Sequence, residues 1–193
     1  MVAILTGDII NSTEHNASKW LPVLKEALDQ YGKEPIAWEI YRGDSFQLET
    51  IPEQALEACI YIKACIKQLR NLDVRIAIGL GEKTYTSKKI TESNGAAFVN
   101  SGKCFEQLKK RRLAIKTPWN PFNEEWNIIL QLASLTMDNW APMTAIIFKE
   151  ALTHPQLTQK ELAKKLNRTQ GTISEGLSRA GHEEINQLLS LYR

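Results

Sequence analysis

Residues 157–180, LTQKELAKKLNRTQGTISEGLSRA, decide how the second half of the chain folds. They read as two short helices joined by a tight turn, a helix-turn-helix whose second helix is offered to DNA. Thr158 caps the first helix and Glu161, three residues later, completes a capping box. Leu157 and Leu162 have the spacing of a hydrophobic staple. Leu162, Ala163 and Leu166 form an inward stripe, with Ala163 small where a second helix comes close. Asn167 tolerates the left-handed conformation of a sharp turn. Thr169 caps the next helix, whose inward residues are Ile173 and Leu177. Arg168, Thr169, Gln170, Thr172, Ser174 and Arg179 remain as candidates for the DNA side, with Gln170 and Thr172 towards bases and the arginines towards phosphates. Gly171 and Gly176 each cost the second helix roughly 1 kcal/mol relative to Ala. Glu175 would repel phosphates. A helix pair used only for packing or for binding a protein is the alternative reading.

Working outward, everything after Thr117-Pro118-Trp119-Asn120-Pro121 has helical spacing, since two prolines interrupt any regular element there. The expected helices are 123–137, 141–152, the two motif helices and 183–192. Trp126, Ile129, Leu130, Trp140, Ile146, Ile147 and Phe148 supply their core, and Leu188, Leu189 and Leu191 close that core or meet a second subunit.

Upstream the pattern changes. Val2–Leu5 is a short apolar run that Thr6-Gly7-Asp8 closes, a buried strand and its exit. Residues 17–31 repeat apolar positions at helical spacing. Residues 36–41 and 45–49 read as strands around an Arg42-Gly43-Asp44 turn. A helix follows over 52–69, then a strand over 74–78 ended by Gly79-Leu80-Gly81, a helix over 95–111 and a strand over 113–116. The order is strand, helix, strand, strand, helix, strand with one more helix and strand, a ferredoxin-like βαββαβ unit. The expected fold class is therefore α+β: a ferredoxin-like, palm-type domain over 1–120, then a small all-α helix-turn-helix domain over 121–193.

In that topology the exit of the first strand lies beside the entrance of the third. Asp8 and Asp44, 36 residues apart, become neighbours, each preceded by a glycine that admits an irregular turn or a close ligand. Two carboxylates about 5 Å apart repel by roughly 3 kcal/mol at an effective dielectric of 20. A divalent cation, a donor cluster or a shared proton would offset this. Mg2+ on Asp8 and Asp44, bridging a nucleotide phosphate, is one reading; carboxylates capping nearby turn amides is the other. Thr6, Ser12, Thr13 and Ser45 are candidate donors to phosphate oxygens. Lys109-Lys110-Arg111-Arg112 reads as a solvated helix end, where the macrodipole favours cations, or as a contact for phosphates.

Composition bounds these readings. The 193 residues are 43% hydrophobic, enough for a real core, and the formal net charge of +2 excludes a strongly basic coat for nucleic acid. Any DNA contact must come from a local patch. Cys59, Cys65 and Cys104 lack metal-ligand spacing and read as reduced core thiols of a cytoplasmic protein. No membrane span or signal peptide is expected.

The blocks ILTGDIINS, YRGDSFQ, RIAIGLGE and GAAFVNSG resemble, in order, the motifs of class III nucleotide cyclase catalytic domains. That resemblance implies a palm-like core with metal ions on Asp8 and Asp44, and it matches Asn100 to a site residue of that family. Four residues beyond Asn100 the cyclases carry an Arg, whereas this chain has Cys104, with Lys103 as the nearest cation. The segment from Gly81 to Gly95 is also short for the cyclase dimer arm. Losing a charge-stabilising donor costs on the order of 100- to 1000-fold in rate, so cyclase chemistry is not expected. The chain is more similar still to the SatD family, with a GDII-type opening, a GDSFQ block, an AIGLGE block and a terminal helix-turn-helix. The expected function is a homodimeric DNA-binding transcriptional regulator of SatD type whose first domain senses a small anionic ligand, a nucleotide or a metal, or serves as a dimerisation scaffold. The alternatives are a metal-dependent enzyme acting on nucleotides or phosphates through Asp8 and Asp44, and a protein-binding adaptor.

Overall fold

The computed structural model describes residues 1–193 and is α+β: eight helices and one five-stranded mixed sheet. The strands are β1 (Val2–Ile10), β2 (Trp38–Tyr41), β3 (Ser45–Thr50), β4 (Asp73–Gly81) and β5 (Leu113–Lys116). Their order is β2-β3-β1-β4-β5, antiparallel throughout except for the parallel β4–β5 pair. Helices α1 (Ala17–Asp29), α2 (Ala55–Lys67) and α3 (Ala96–Gln107) belong to this half.

The alternation along β1 assigns the two faces. Ala3, Leu5 and Ile9 join the main core with Leu24 of α1 and Ile62 of α2. Ile4 packs instead with Ala97 and Phe98 of α3. Helix α2 is buried almost all round, from Ala55 to Ile66, because the sheet, α1 and a later helix over Pro142–Thr153 enclose it.

Two strands are longer than their patterns suggest. Thr6-Gly7-Asp8 does not end β1, because Gly7 pairs with Phe46 and Ile76, and Asp8 with Ser45 and Arg75. Gly79 and Gly81 do not end β4 either. A Cβ on Gly79 would lie 2.7 Å from Cα of Ser101, and one on Gly81 2.6 Å from N of Ala97. These glycines let the α3 backbone lie directly on the strand. Gly7 likewise makes room for the Phe46 ring and the Arg75 carbonyl rather than for a ligand.

Helices α4 (Asn120–Met137), α5 (Pro142–Thr153), α6 (Gln159–Leu166), α7 (Gln170–Ala180) and α8 (His182–Tyr192) follow. Trp126, Trp140, Phe148, Ile185 and Leu189 share one continuous core with the sheet and α2. Trp140 packs at a tilt against Phe148, centroids 4.6 Å apart, and its Nε1 donates to the Ala180 carbonyl at 3.1 Å. Ile147, Ala151, Leu162, Ala163 and Ile173 form a second cluster that seats α6 and α7 on α5. Thr158 and Glu161 make the reciprocal capping box, Asn167 is left-handed at φ 52°, and Thr169 accepts from the Thr172 N–H. Leu188 is half-buried and Leu191 exposed. No helix is long and apolar enough to cross a membrane. All three cysteines are free and buried, and burial pushes the Cys65 and Cys104 thiols up to about 11.

The two glycines of α7 differ. Around Gly171 only the Thr169 hydroxyl comes within 4 Å of an added Cβ, at 3.9 Å. Gly176 faces buried Ile147, whose Cγ2 would stand 3.3 Å away and its Cδ1 nearer. Gly176 is the close-approach position of α7 against α5, and its helix-propensity cost is offset there. Gly171→Ala should therefore stabilise the chain by up to about 1 kcal/mol, while Gly176→Ala gains nothing or destabilises. Urea melts of the two variants check the sign; equal stabilisation would contradict the packing account.

Candidate functional site

Tyr41 pairs with Ser45, Ser45 with Asp8, and Asp8 with Arg75, so the four form one row across β2, β3, β1 and β4. Directly opposed residues of antiparallel strands project from the same face. Here it is the face that carries α3, since Thr6, two residues before Asp8, meets Ser101 of α3 at 3.0 Å. The N-terminal half of α3 covers the far end of the sheet and leaves this row at its edge.

Asp44 lies next to Ser45 in the hairpin turn, where Arg42 and Gly43 have φ of 50° and 88°. Its carboxylate accepts a hydrogen bond from the hydroxyl of Ser12, which a short 3-10 turn buries behind β1. The strand register thus sets Asp44 one residue from the partner of Asp8, and both carboxylates act on one guanidinium.

That guanidinium is Arg75. Its Nε donates to Asp8 Oδ1 at 2.9 Å and its Nη2 to Oδ2, a bidentate pair. The Phe105 ring of α3 stands 5.4 Å from its Cζ. The hydrogen bond to Asp8 is the main cause that holds Arg75 more firmly protonated, opposed by burial and helped by the charges of Asp8 and Asp44. Burial raises the Tyr41 phenol, with Arg42 opposing and Asp8 adding, so Tyr41 stays a neutral donor. The sequence does not single out Arg75, because its partner depends on the β1–β4 register. The available signal was a charged residue alternating with the core positions Val74, Ile76 and Ile78.

This arrangement answers the carboxylate repulsion without a metal ion. Mg2+ needs near-octahedral oxygen ligands. Both Asp8 oxygens are engaged by Arg75, one Asp44 oxygen is engaged by Ser12, and no group of three or more His, Cys, Asp or Glu side chains is placed to hold a metal ion. The offset to carboxylate repulsion is a guanidinium, and the residues present do not fit a cation bridged between Asp8 and Asp44. Asn100 is not part of the site. Its amide donates to the Leu80 carbonyl at 2.8 Å, five residues up β4 from Arg75, or roughly 17 Å along the strand.

The basic stretch also differs from a helix end. Helix α3 stops at Gln107, and Lys109 and Lys110 lie in a turn with Lys109 left-handed at φ 49°. The turn puts them on a cleft of about 550 Å³ shared with Asp8, Asn11, Arg75 and Arg112. Behind it lies an ion cluster. Lys63 is 2.8 Å from Asp73 and 2.7 Å from Asp138, Lys67 is 3.6 Å from Asp73, and Arg112 pairs with Asp73.

The second candidate surface is on α7. Arg168, Thr169, Gln170, Ser174 and Arg179 are exposed. Thr172 is half-buried, its hydroxyl 2.9 Å from that of Thr169, so it serves the helix cap before any base. Arg179 pairs with Glu175 at 2.6 Å, an exposed pair of the kind that exchanges readily. Arg168 is held only to the Asn167 carbonyl, at 3.0 Å.

No family model matches the chain, and neither does any curated protein or solved structure.

Proposed function

We propose that the chain is a DNA-binding transcriptional regulator of SatD type, in which residues 157–180 act as a helix-turn-helix on a ferredoxin-like, palm-type body. The observation that carries this reading is the α6–α7 pair. Both helices start on a threonine cap, the left-handed Asn167 separates them, and they are seated on α5 with the start of α7 turned outward. An outward-turned start of the second helix is what lets its N-terminal residues reach base edges in a helix-turn-helix, and this supports the reading. The strand order β2-β3-β1-β4 supports the palm reading of the first half. A metal-dependent enzyme is disfavoured by the Asp8–Arg75 pair.

Arg168 is the phosphate contact and Gln170 the base reader in this reading. Selection from genomic fragments at ~100 mM salt should enrich a discrete sequence. Arg168→Ala should weaken binding to all sequences and reduce the salt slope by about one unit, whereas Gln170→Ala should relax one base position. Palindromic products would count two copies per site. A selection that enriches nothing sinks the reading and leaves the α6–α7 pair as a protein-binding surface.

A further inference from the structure

The cleft beside Asp8 gathers four cations, Arg75, Lys109, Lys110 and Arg112, against one carboxylate. The two arginines are already paired, with Asp8 and Asp73. The two lysines are exposed, and none of the ion pairs in the chain includes either. Two lysines without an ion-pair partner, set beside two arginines, repel those arginines and bring no ion pair to the fold. The charge suits a ligand with several negative oxygens at short spacing. Arginines bind such oxygens through a planar fork and lysines as point charges. The only apolar lining comes from Ile9 and Ile10, with no aromatic ring in the lining to stack a base.

The geometry points to a metal-independent site for an oligophosphate, a di- or triphosphate chain, free or carried by a nucleotide, between the Asp8–Arg75 pair and the Lys109–Lys110 turn. Lys109 and Lys110 supply charge, Arg112 and Arg75 the directed hydrogen bonds, and Asn11 a further polar group at the rim. Asp8 is no ligand holder here. It keeps Arg75 in place and opposes the anion. The site stands independently of the DNA reading and is measured without DNA.

The test is titration calorimetry on the full chain at low salt, with sodium tripolyphosphate, ATP and sulfate, each in chelator and again with magnesium. Tripolyphosphate should bind in chelator, and magnesium should not tighten it. The double reversal K109E/K110E, on an exposed turn, should weaken binding by at least about tenfold. K160E/K164E on the exposed side of α6 should leave it unchanged. Asp8→Asn should tighten binding several-fold, since it removes the opposing charge; a metal site on Asp8 requires the reverse. ATP binding as well as tripolyphosphate identifies the phosphate chain as the ligand, and ATP about tenfold tighter identifies a nucleotide source. The proposal is overturned by no binding, by binding that needs magnesium and vanishes in Asp8→Asn, by indifference to K109E/K110E, or by sulfate binding as tightly as tripolyphosphate.

Discussion

Asp73→Asn should lower the free energy of unfolding by roughly 3–5 kcal/mol, the usual cost of removing one partner from a buried ion pair. Asp73 is 4% exposed and its first oxygen serves both Lys63, at 2.8 Å, and the N–H of Val74, at 2.7 Å. Its second oxygen meets Arg112 and, at 3.6 Å, Lys67. Asparagine keeps the shape and the bond to Val74 but leaves Lys63, itself 4% exposed, with Asp138 alone. Burial already lowers the Lys67 pKa, and the Asp73 charge is the main force that opposes this. Without that charge Lys67 titrates lower still, so the variant gains stability as pH rises towards the lysine range while the parent changes less. Urea melts at neutral and alkaline pH measure both effects. The double change Lys63→Met with Asp73→Asn should recover much of the loss, because it removes the buried ammonium together with the carboxylate that balanced it. A loss near zero for Asp73→Asn would show that the cluster is solvated and not a structural joint.

The joint matters because of what it ties together. Asp138 caps α4, and Trp140, two residues on, hydrogen-bonds to the last residue of α7. Arg112 faces both the ion cluster and the cleft beside Asp8. An anion that draws Arg112 away from Asp73 and Asp138 would perturb the joint from which the α5–α7 unit departs. This is one physical link between the proposed oligophosphate site and the proposed DNA face.

Much of this was legible in the sequence, for identifiable reasons. Capping at Thr158, Asn167 and Thr169 depends on local chemistry, and the local geometry follows it. Placing Asp8 beside the Asp44 turn required only strand order, and the register Asp8–Ser45 follows that order. Strand ends were less legible, because glycine ends a strand in sequence statistics but at positions 7, 79 and 81 it answers a neighbour distant in the chain. The partner of Asp8 was illegible for the same reason. Arg75 reaches it only through the register of β1 on β4, which no periodicity encodes. The Lys109–Arg112 run looked like a helix end because helical spacing continues to Leu108; the left-handed turn at Lys109 depends on where β5 must begin.

Gly79→Ala should be among the most damaging single methyls in the molecule, with a loss of about 3 kcal/mol or more, at the upper end of what overpacking costs. The added Cβ would stand 2.7 Å from Cα of Ser101 and closer still to N of Ser101 and O of Ala97. These are backbone atoms of a helix, which no rotamer change can move. Helix α3 would have to lift from β4, which strains the hydrogen bonds of Ser101 to Thr6 and of Asn100 to the Leu80 carbonyl. Phe105 would withdraw from Arg75, so the cleft should change with the stability. Gly102→Ala on the same helix is the control. Nothing lies within 4 Å of its Cβ, so it should stabilise by up to about 1 kcal/mol through helix propensity alone. Chemical denaturation of the two variants side by side gives opposite signs if α3 rests on the strand backbone through Gly79. Equal effects would mean that α3 sits farther from the sheet, and the account of the GLG segment as a contact rather than a strand end would fall with it.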